Sequence, residues 1–139
     1  MATHIDLKQL TQARLKDAHV LYAAGRYDGA AEMCGYALEM ALKACICRRL
    51  RVGEYPEREI KGAFKTHDFS ELRLLAGVGE EFALQGSPML YANWQTATQW
   101  EPLWRYRPAG SVSKRRVEDM LRALEDPSDG VLSWLKRRW

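Results

Sequence analysis

Apolar residues recur along the chain at helical spacing, and polar capping residues mark where each run begins and ends. Leu7, Leu15, Ala18 and Tyr22 fall on one face, with Leu10 and Leu21 at its flank. Thr3 with Asp6 three positions on predicts a capping box at the start of this helix, and Gly25 predicts its end. A second helix is predicted from Tyr27 to Arg51, stopping at Gly53. Its apolar positions include Ala30, Met33, Cys34, Ala37, Leu38, Ala41, Leu42, Cys45 and Ile46. So wide a stripe, with small residues that let neighbours approach, predicts the centre of a bundle. The short Gly25 junction predicts an antiparallel hairpin.

Beyond Pro56 the pattern shortens. Glu57–Phe64 reads as a turn or short helix. A third helix is predicted from His67 or Asp68 to Ala76, with Phe69, Leu72 and Leu75 inward and Gly77 and Gly79 breaking it. A short segment over Glu80–Leu84 ends at Gly86. Ser87-Pro88 reads as an N-cap with proline at the first helical position, opening a helix with Met89, Leu90, Trp94 and Ala97. Pro102 and Pro108 bracket a stretch predicted to be irregular. Ser111 or Ser113 caps the next helix, whose inner face holds Val117, Met120, Leu121 and Leu124. Pro127 must end or kink that helix. Asp126 is the predicted cap of a final segment with Val131, Leu132, Trp134 and Leu135. No run alternates as a strand would. The expectation is one all-α domain over residues 1–139, an up-and-down bundle of four to five helices.

Composition narrows the function classes. A chain of 139 residues buries a core without staples. The net charge of +3 permits a polyanionic partner without demanding one. Of the three cysteines, Cys45 and Cys47 point about 200° apart on a helix, so they clasp neither one metal nor each other. All three read as small buried apolar residues in a reducing compartment. No leader pattern opens the chain, and no run approaches the ~18 apolar residues of a membrane span. A cytoplasmic protein without metal or cofactor is expected.

Four stretches, in order, resemble the HEPN family. They are Gly25-Arg26-Tyr27-Asp28-Gly29-Ala30-Ala31 at the hairpin, Ala37-Leu38-Glu39-Met40-Ala41-Leu42-Lys43-Ala44 in helix two, Lys65-Thr66-His67-Asp68-Phe69-Ser70-Glu71-Leu72 before helix three, and Arg105-Tyr106-Arg107-Pro108 before a late helix. Their order and rough spacing match the family, and the resemblance covers about Ala13 to Trp134. The resemblance implies a dimer-forming helical bundle. It implies one of several roles: RNA- or nucleotide-binding module, metal-independent endoribonuclease, or non-catalytic partner of a nucleotidyltransferase, in a prokaryotic defence or toxin–antitoxin setting. Fold alone does not choose among them.

The family's ribonucleases pair an arginine with a histidine after four to six intervening residues. Here no histidine follows His67. The one literal match, Arg14 and His19, lies in helix one, where five positions put the side chains about 140° apart. His19 is expected to be an ordinary surface or boundary residue. His67, Arg105 and Tyr106 remain as candidates for catalysis.

For binding, the candidates are His67, Arg105, Tyr106, Arg107, Lys114, Arg115 and Arg116. Guanidinium groups beside aromatic rings suit phosphate grip and base stacking. The competing reading is a buried loop whose arginines pair with Glu39. Likewise His67-Asp68 is either an anion contact at a helix start or a cap with a packed histidine. Glu39 and Lys43, four apart, are expected to pair. Arg26, Tyr27 and Asp28 are expected to shape the hairpin turn. Of three basic clusters, Arg48-Arg49-Arg51 and Lys136-Arg137-Arg138 sit where helix dipoles favour cations. Lys114-Arg115-Arg116 begins a helix, where the dipole disfavours it, with Glu118 and Asp119 offsetting it in part. Trp94, Trp100 and Trp104 are read as core or interface packing.

Overall fold

The ends of the first two helices are set by local hydrogen bonds. In the computed structural model, which describes residues 2–59, 62–79 and 87–139, α1 runs His4–Ala23. The Thr3 hydroxyl accepts from the Asp6 N–H at 3.0 Å, and the Asp6 carboxylate accepts from the Thr3 N–H at 3.0 Å. These bonds to the ionised form hold the Asp6 carboxyl below its usual range. Gly25, at φ 73°, reverses the chain into α2, Tyr27–Leu50. The start of α1 then lies beside the end of α2: His4 N–H donates to Gly53 O at 2.8 Å, and Tyr55 N–H to Ala2 O at 3.0 Å. The hairpin is antiparallel, as its short turn predicts.

α2 is the axis of the fold. Thirteen of its residues are buried, and it touches each of the other described elements. Those elements are α3 (Phe69–Ala76), α4 (Pro88–Ala97), a 3-10 helix (Pro102–Tyr106), α5 (Lys114–Glu125) and α6 (Val131–Leu135). No strand occurs among the described residues, only an isolated bridge between Thr3 and Glu54. Leu38, Leu42 and Ile46 of α2 meet Leu7, Leu72, Met120, Leu124, Leu132 and Leu135 in one buried cluster. The three cysteines lie within it. Burial pushes the Cys34 and Cys45 thiols up to about 12, so neither supplies a thiolate at neutral pH.

Three of the later helices start at residues the pattern names. Asp68 caps α3 by accepting from Glu71 N–H at 3.0 Å. Gly77 closes it in the left-handed conformation. Ser87 caps α4 and Ser113 caps α5.

Two expectations need correction. The stretch bracketed by Pro102 and Pro108 is not irregular throughout, because Pro102 at its start is preset for the 3-10 turn beyond it. Asp126 does not cap the last helix. Its carboxylate accepts from the N–H groups of Ser128 and Asp129, which hold its carboxyl low, and Gly130 is the N-cap of α6. A side chain at Gly130 would strike Asp126 O at 2.4 Å, so the tight turn after Pro127 needs glycine there. The segment expected over Glu80–Leu84, with its end at Gly86, lies outside the described residues, as do residues 60–61 within Glu57–Phe64. On either side of those two, the Tyr55 hydroxyl donates to Phe64 O at 2.8 Å and ties the loop together.

Trp100 packs directly on α2 at Gly35. A Cβ at Gly35 would lie 2.3 Å from the Trp100 ring, which is itself buried. Gly35→Ala would gain up to about 1 kcal/mol of helix propensity. Overpacking against a ring with nowhere to move costs about 1–3 kcal/mol, so the clash wins. Urea unfolding should show a lower midpoint for Gly35→Ala; an equal or higher midpoint would mean that Trp100 is not seated as described.

Candidate functional site

The segment after Trp100 builds the site. The Trp100 ring meets Tyr36 edge-on at 5.9 Å and Phe69 at 6.1 Å. It therefore anchors the next residues against the first half of α2. The 3-10 helix then turns out into solvent, with Arg105 Nε donating to Pro102 O at 3.0 Å. Arg105, Tyr106 and Arg107 are all exposed, and Tyr106 keeps 78% of its surface. They are not a buried loop.

A second anchor comes from α2. The Asp28 carboxylate accepts from Gly110 N–H at 2.7 Å and from Val112 N–H at 2.9 Å. Asp28 does more than shape the hairpin. It staples the loop before α5 to the first turn of α2, across more than eighty residues of sequence.

Between these anchors, side chains from two predicted segments converge on Trp104. The Arg107 guanidinium stacks 4.3 Å from its ring centroid, and that of Arg116 lies 5.6 Å away. Arg105 lies 5.6 Å from the Tyr106 ring. Trp100, Trp104, Arg105 and Arg107 line a cleft of about 230 Å³ together with Asp28 and Glu32. The two acids are already engaged, Asp28 by backbone N–H groups and Glu32 by the Tyr36 hydroxyl at 2.9 Å. Burial and that bond push the Tyr36 hydroxyl up, while the charge of Arg105 pulls it the other way.

A second hollow of about 420 Å³ adjoins through Arg116. It holds Arg115, Arg116 and Arg122 with Asn93, Thr96 and Gln99. Asp119 pairs with Arg115 at 3.0 Å and with Arg122 at 3.5 Å. Arg116 donates to Gln99. Glu118 turns away and accepts from the Tyr22 hydroxyl at 2.7 Å, so only Asp119 offsets the cluster directly.

The sequence candidates thus divide. Arg107 and Arg116 meet on Trp104, Arg105 lines the same cleft, Tyr106 stands exposed against Arg105 outside the cleft lining, and Arg115 lies beside Arg116 in the second hollow. Lys114 opens α5 in solvent and lines neither hollow. His67, two residues before Phe69, lines neither hollow. Its Nδ1 meets the Glu39 carboxylate. The Glu39 side chain is 8% exposed and that of His67 65%, so a buried acid holds an exposed imidazole.

This pairing corrects two expectations. Glu39 is not the partner of Arg105 or Arg107, and it does not pair with Lys43. Lys43 instead sits 4.9 Å over the Tyr55 ring. Arg14 and His19 do not converge either: Arg14 pairs with Asp17 at 3.5 Å and His19 with Glu125 at 2.7 Å. Among the described residues, no group of three or more His, Cys, Asp or Glu side chains is placed to hold a metal ion. No helix of the described residues is long and apolar enough to cross a membrane.

Residues 6–126 match the family model of the HEPN domain. The chain belongs to the HEPN family. No curated protein and no solved structure matches it. In this HEPN domain the positions reached from Arg105 after four to six intervening residues hold Gly110, Ser111 and Val112. Two of the three use their backbone N–H groups, on Asp28, and none has an imidazole to offer.

The Asp28 staple is separately testable. Bonds to a charged acceptor are worth about 1.5–3 kcal/mol each when well formed, and less where solvent reaches them as here. Asp28→Ala should speed amide exchange at Gly110 and Val112 by roughly tenfold, equivalent to about 1.4 kcal/mol of local stability. Unchanged exchange at both amides would show that the loop is held by something else.

Proposed function

We propose that this HEPN domain binds RNA or a nucleotide at the Trp104 cleft and does not cleave it. The observation that carries this is the stack of Arg107 and Arg116 on Trp104, which joins two separately predicted basic segments. Arg105 and Arg107 supply planar forks that match phosphate oxygens. Exposed Tyr106 offers a ring for base stacking. Arg115 and Arg116, with Lys114 behind them, extend the positive rim along which a strand runs. Family membership is the support for a homodimer, for a nucleotidyltransferase-type protein partner and for a defence or toxin–antitoxin setting.

A second reading rests on Glu39 and His67. A buried carboxylate on Nδ1 orients an imidazole and leaves Nε2 as the nitrogen for proton transfer. Such a base takes the 2′-hydroxyl proton of RNA as that oxygen attacks phosphorus. The O2′–P bond forms as the P–O5′ bond breaks, giving a 2′,3′-cyclic phosphate, and the departing 5′-oxygen takes a proton from solvent water. Arginine charge stabilises the phosphorane without a metal. That chemistry makes the chain an endoribonuclease with a displaced histidine.

Labelled single-stranded RNA and transfer RNA, incubated with the protein in EDTA, separate these readings. Under the binding reading the RNA stays intact and shifts on a native gel. Arg105→Ala/Arg107→Ala should weaken the shift by about tenfold or more, with a shallower dependence on salt. Cleavage abolished by His67→Ala would establish the ribonuclease reading instead. Neither shift nor cleavage would sink both.

A further inference from the structure

The hollow beside the Trp104 cleft has a chemistry of its own. It is a trough along α4 and α5, lined by Asn93, Thr96 and Gln99 from one side and Arg115, Arg116 and Arg122 from the other. Helical spacing places them there. Asn93 and Thr96 are three apart on α4, and Arg115 and Arg122 are seven apart on α5, so each pair shares a face. Gln99 lies just past the end of α4 and meets Arg116. From Arg116 to Arg122 the helix rises about 9 Å.

Asp119 is the one acid that lines the trough among the described residues. It sits between Arg115 and Arg122, at 3.0 Å and 3.5 Å, so three guanidinium groups share a single carboxylate. The Arg115 and Arg122 side chains keep 78% and 67% of their surface. Ion pairs this exposed are weak, so Asp119 aligns the two arginines without consuming them. Arg116 spends one donor on Gln99, and a guanidinium has five. The amides are also only partly used. Asn93 Nδ2 donates to Asp129 O at 2.9 Å, which leaves its Oδ1 as an acceptor, and Gln99 keeps its N–H donors.

The two hollows complement each other. The Trp104 cleft is aromatic and small, at about 230 Å³, below the roughly 300 Å³ at which pockets that enclose a small organic ligand begin. The trough holds about 420 Å³, and no aromatic ring lines it. One offers rings for stacking; the other offers charge and hydrogen-bonding groups. Arg116 belongs to both, because its guanidinium lies 5.6 Å from the Trp104 ring centroid and also donates to Gln99. A free mononucleotide at the cleft has one phosphate end. Placed within reach of Arg116, it leaves the far part of the trough, out to Arg122, without a ligand group.

We propose that the trough is a second nucleotide subsite continuous with the Trp104 cleft, so that the ligand is a single strand of linked nucleotides rather than a free mononucleotide. This rests on the reading that the cleft binds a nucleotide. Arg116 holds the phosphate that links the two subsites, and Arg115 and Arg122 hold the next one, their forks matching phosphate oxygens. The base at the cleft stacks on an aromatic ring, which any base can do. The base over the trough meets Asn93, Thr96 and Gln99, whose donors and acceptors face its edge. Linkage makes the second contact intramolecular, so a strand gains affinity that neither subsite has alone.

Calorimetric titrations at one low salt concentration compare adenosine 5′-monophosphate with the tetranucleotide tetra-adenylate. The unchanged protein should bind the tetranucleotide about tenfold or more tightly than the mononucleotide. Thr96→Ala/Arg122→Ala removes two trough side chains at helical positions that alanine suits, so the melting temperature should be kept. In that variant the ratio of the two affinities should fall to about threefold or less. Arg51→Gly removes the same charge at the far end of α2, where φ is 56° and glycine fits, and should keep the ratio. Equal affinities in the unchanged protein, a ratio kept in the trough variant, or a ratio lost as much in Arg51→Gly overturns the proposal. In each of those cases, loss of both ligands in Arg105→Ala/Arg107→Ala still upholds the Trp104 cleft. Binding of neither ligand by the unchanged protein overturns the cleft reading and the second subsite together.

Discussion

The packing of Trp100 onto Gly35 is the contact on which the rest of the site depends. Glycine at that point of α2 opens a notch one side chain deep, and an indole fills it. The same ring touches Tyr36 and Phe69, so one residue joins α2, α3 and the start of the 3-10 helix. Without that seat, the segment from Pro102 to Tyr106 has no buried residue of its own to hold it. With it, Arg105, Tyr106 and Arg107 are displayed in solvent on and just after a short 3-10 turn. Asp28 fixes the other end of the segment. A functional surface is thereby made from an exposed stretch without conformational freedom being its main cost.

α2 also organises the charge of the molecule. Its buried apolar stripe excludes polar groups with one exception among its acids, Glu39, which is spent on His67. Two groups of basic side chains lie at the two ends of the helix. At the N-terminal end they come from the 3-10 helix and α5, gathered by Trp104. At the C-terminal end they come from α2 itself and the residues after α6. The family's ribonuclease pattern needs a histidine beyond the late arginine; here Asp28 binds backbone N–H groups at that point. The chain's histidine with a buried carboxylate partner is displaced to the start of α3.

How much was legible in the sequence depends on the range of the interaction. Helix starts at Thr3, Asp68, Ser87 and Ser113 are set by a side chain and an N–H three residues on, so they can be read locally. The wide stripe of α2 announces burial on all sides because only a central helix tolerates it. The motif resemblance carried the family. The partners of Glu39 and Asp28 were not legible, because they lie 28 and more than 80 residues away. The local rule favoured Lys43 for Glu39, at helical spacing, but the Lys43 ammonium sits over Tyr55 instead. Asp126 looked like a cap because it precedes a helical run; Pro127 places a turn between them, and the carboxylate is consumed there. That Arg107 and Arg116 would share Trp104 had no sequence signal beyond the richness of that stretch in aromatic and basic residues.

The central claim is that nucleic acid or nucleotide lies against the Trp104 cleft. Ultraviolet cross-linking of the unmodified protein to a single-stranded RNA, with mass spectrometry of the cross-linked peptides, tests it most directly. The account predicts adducts on the aromatic side chains Trp104 and Tyr106, suppressed by salt and by unlabelled competitor RNA. Adducts confined to peptides outside residues 100–116, with Trp104 and Tyr106 unmodified, would contradict it.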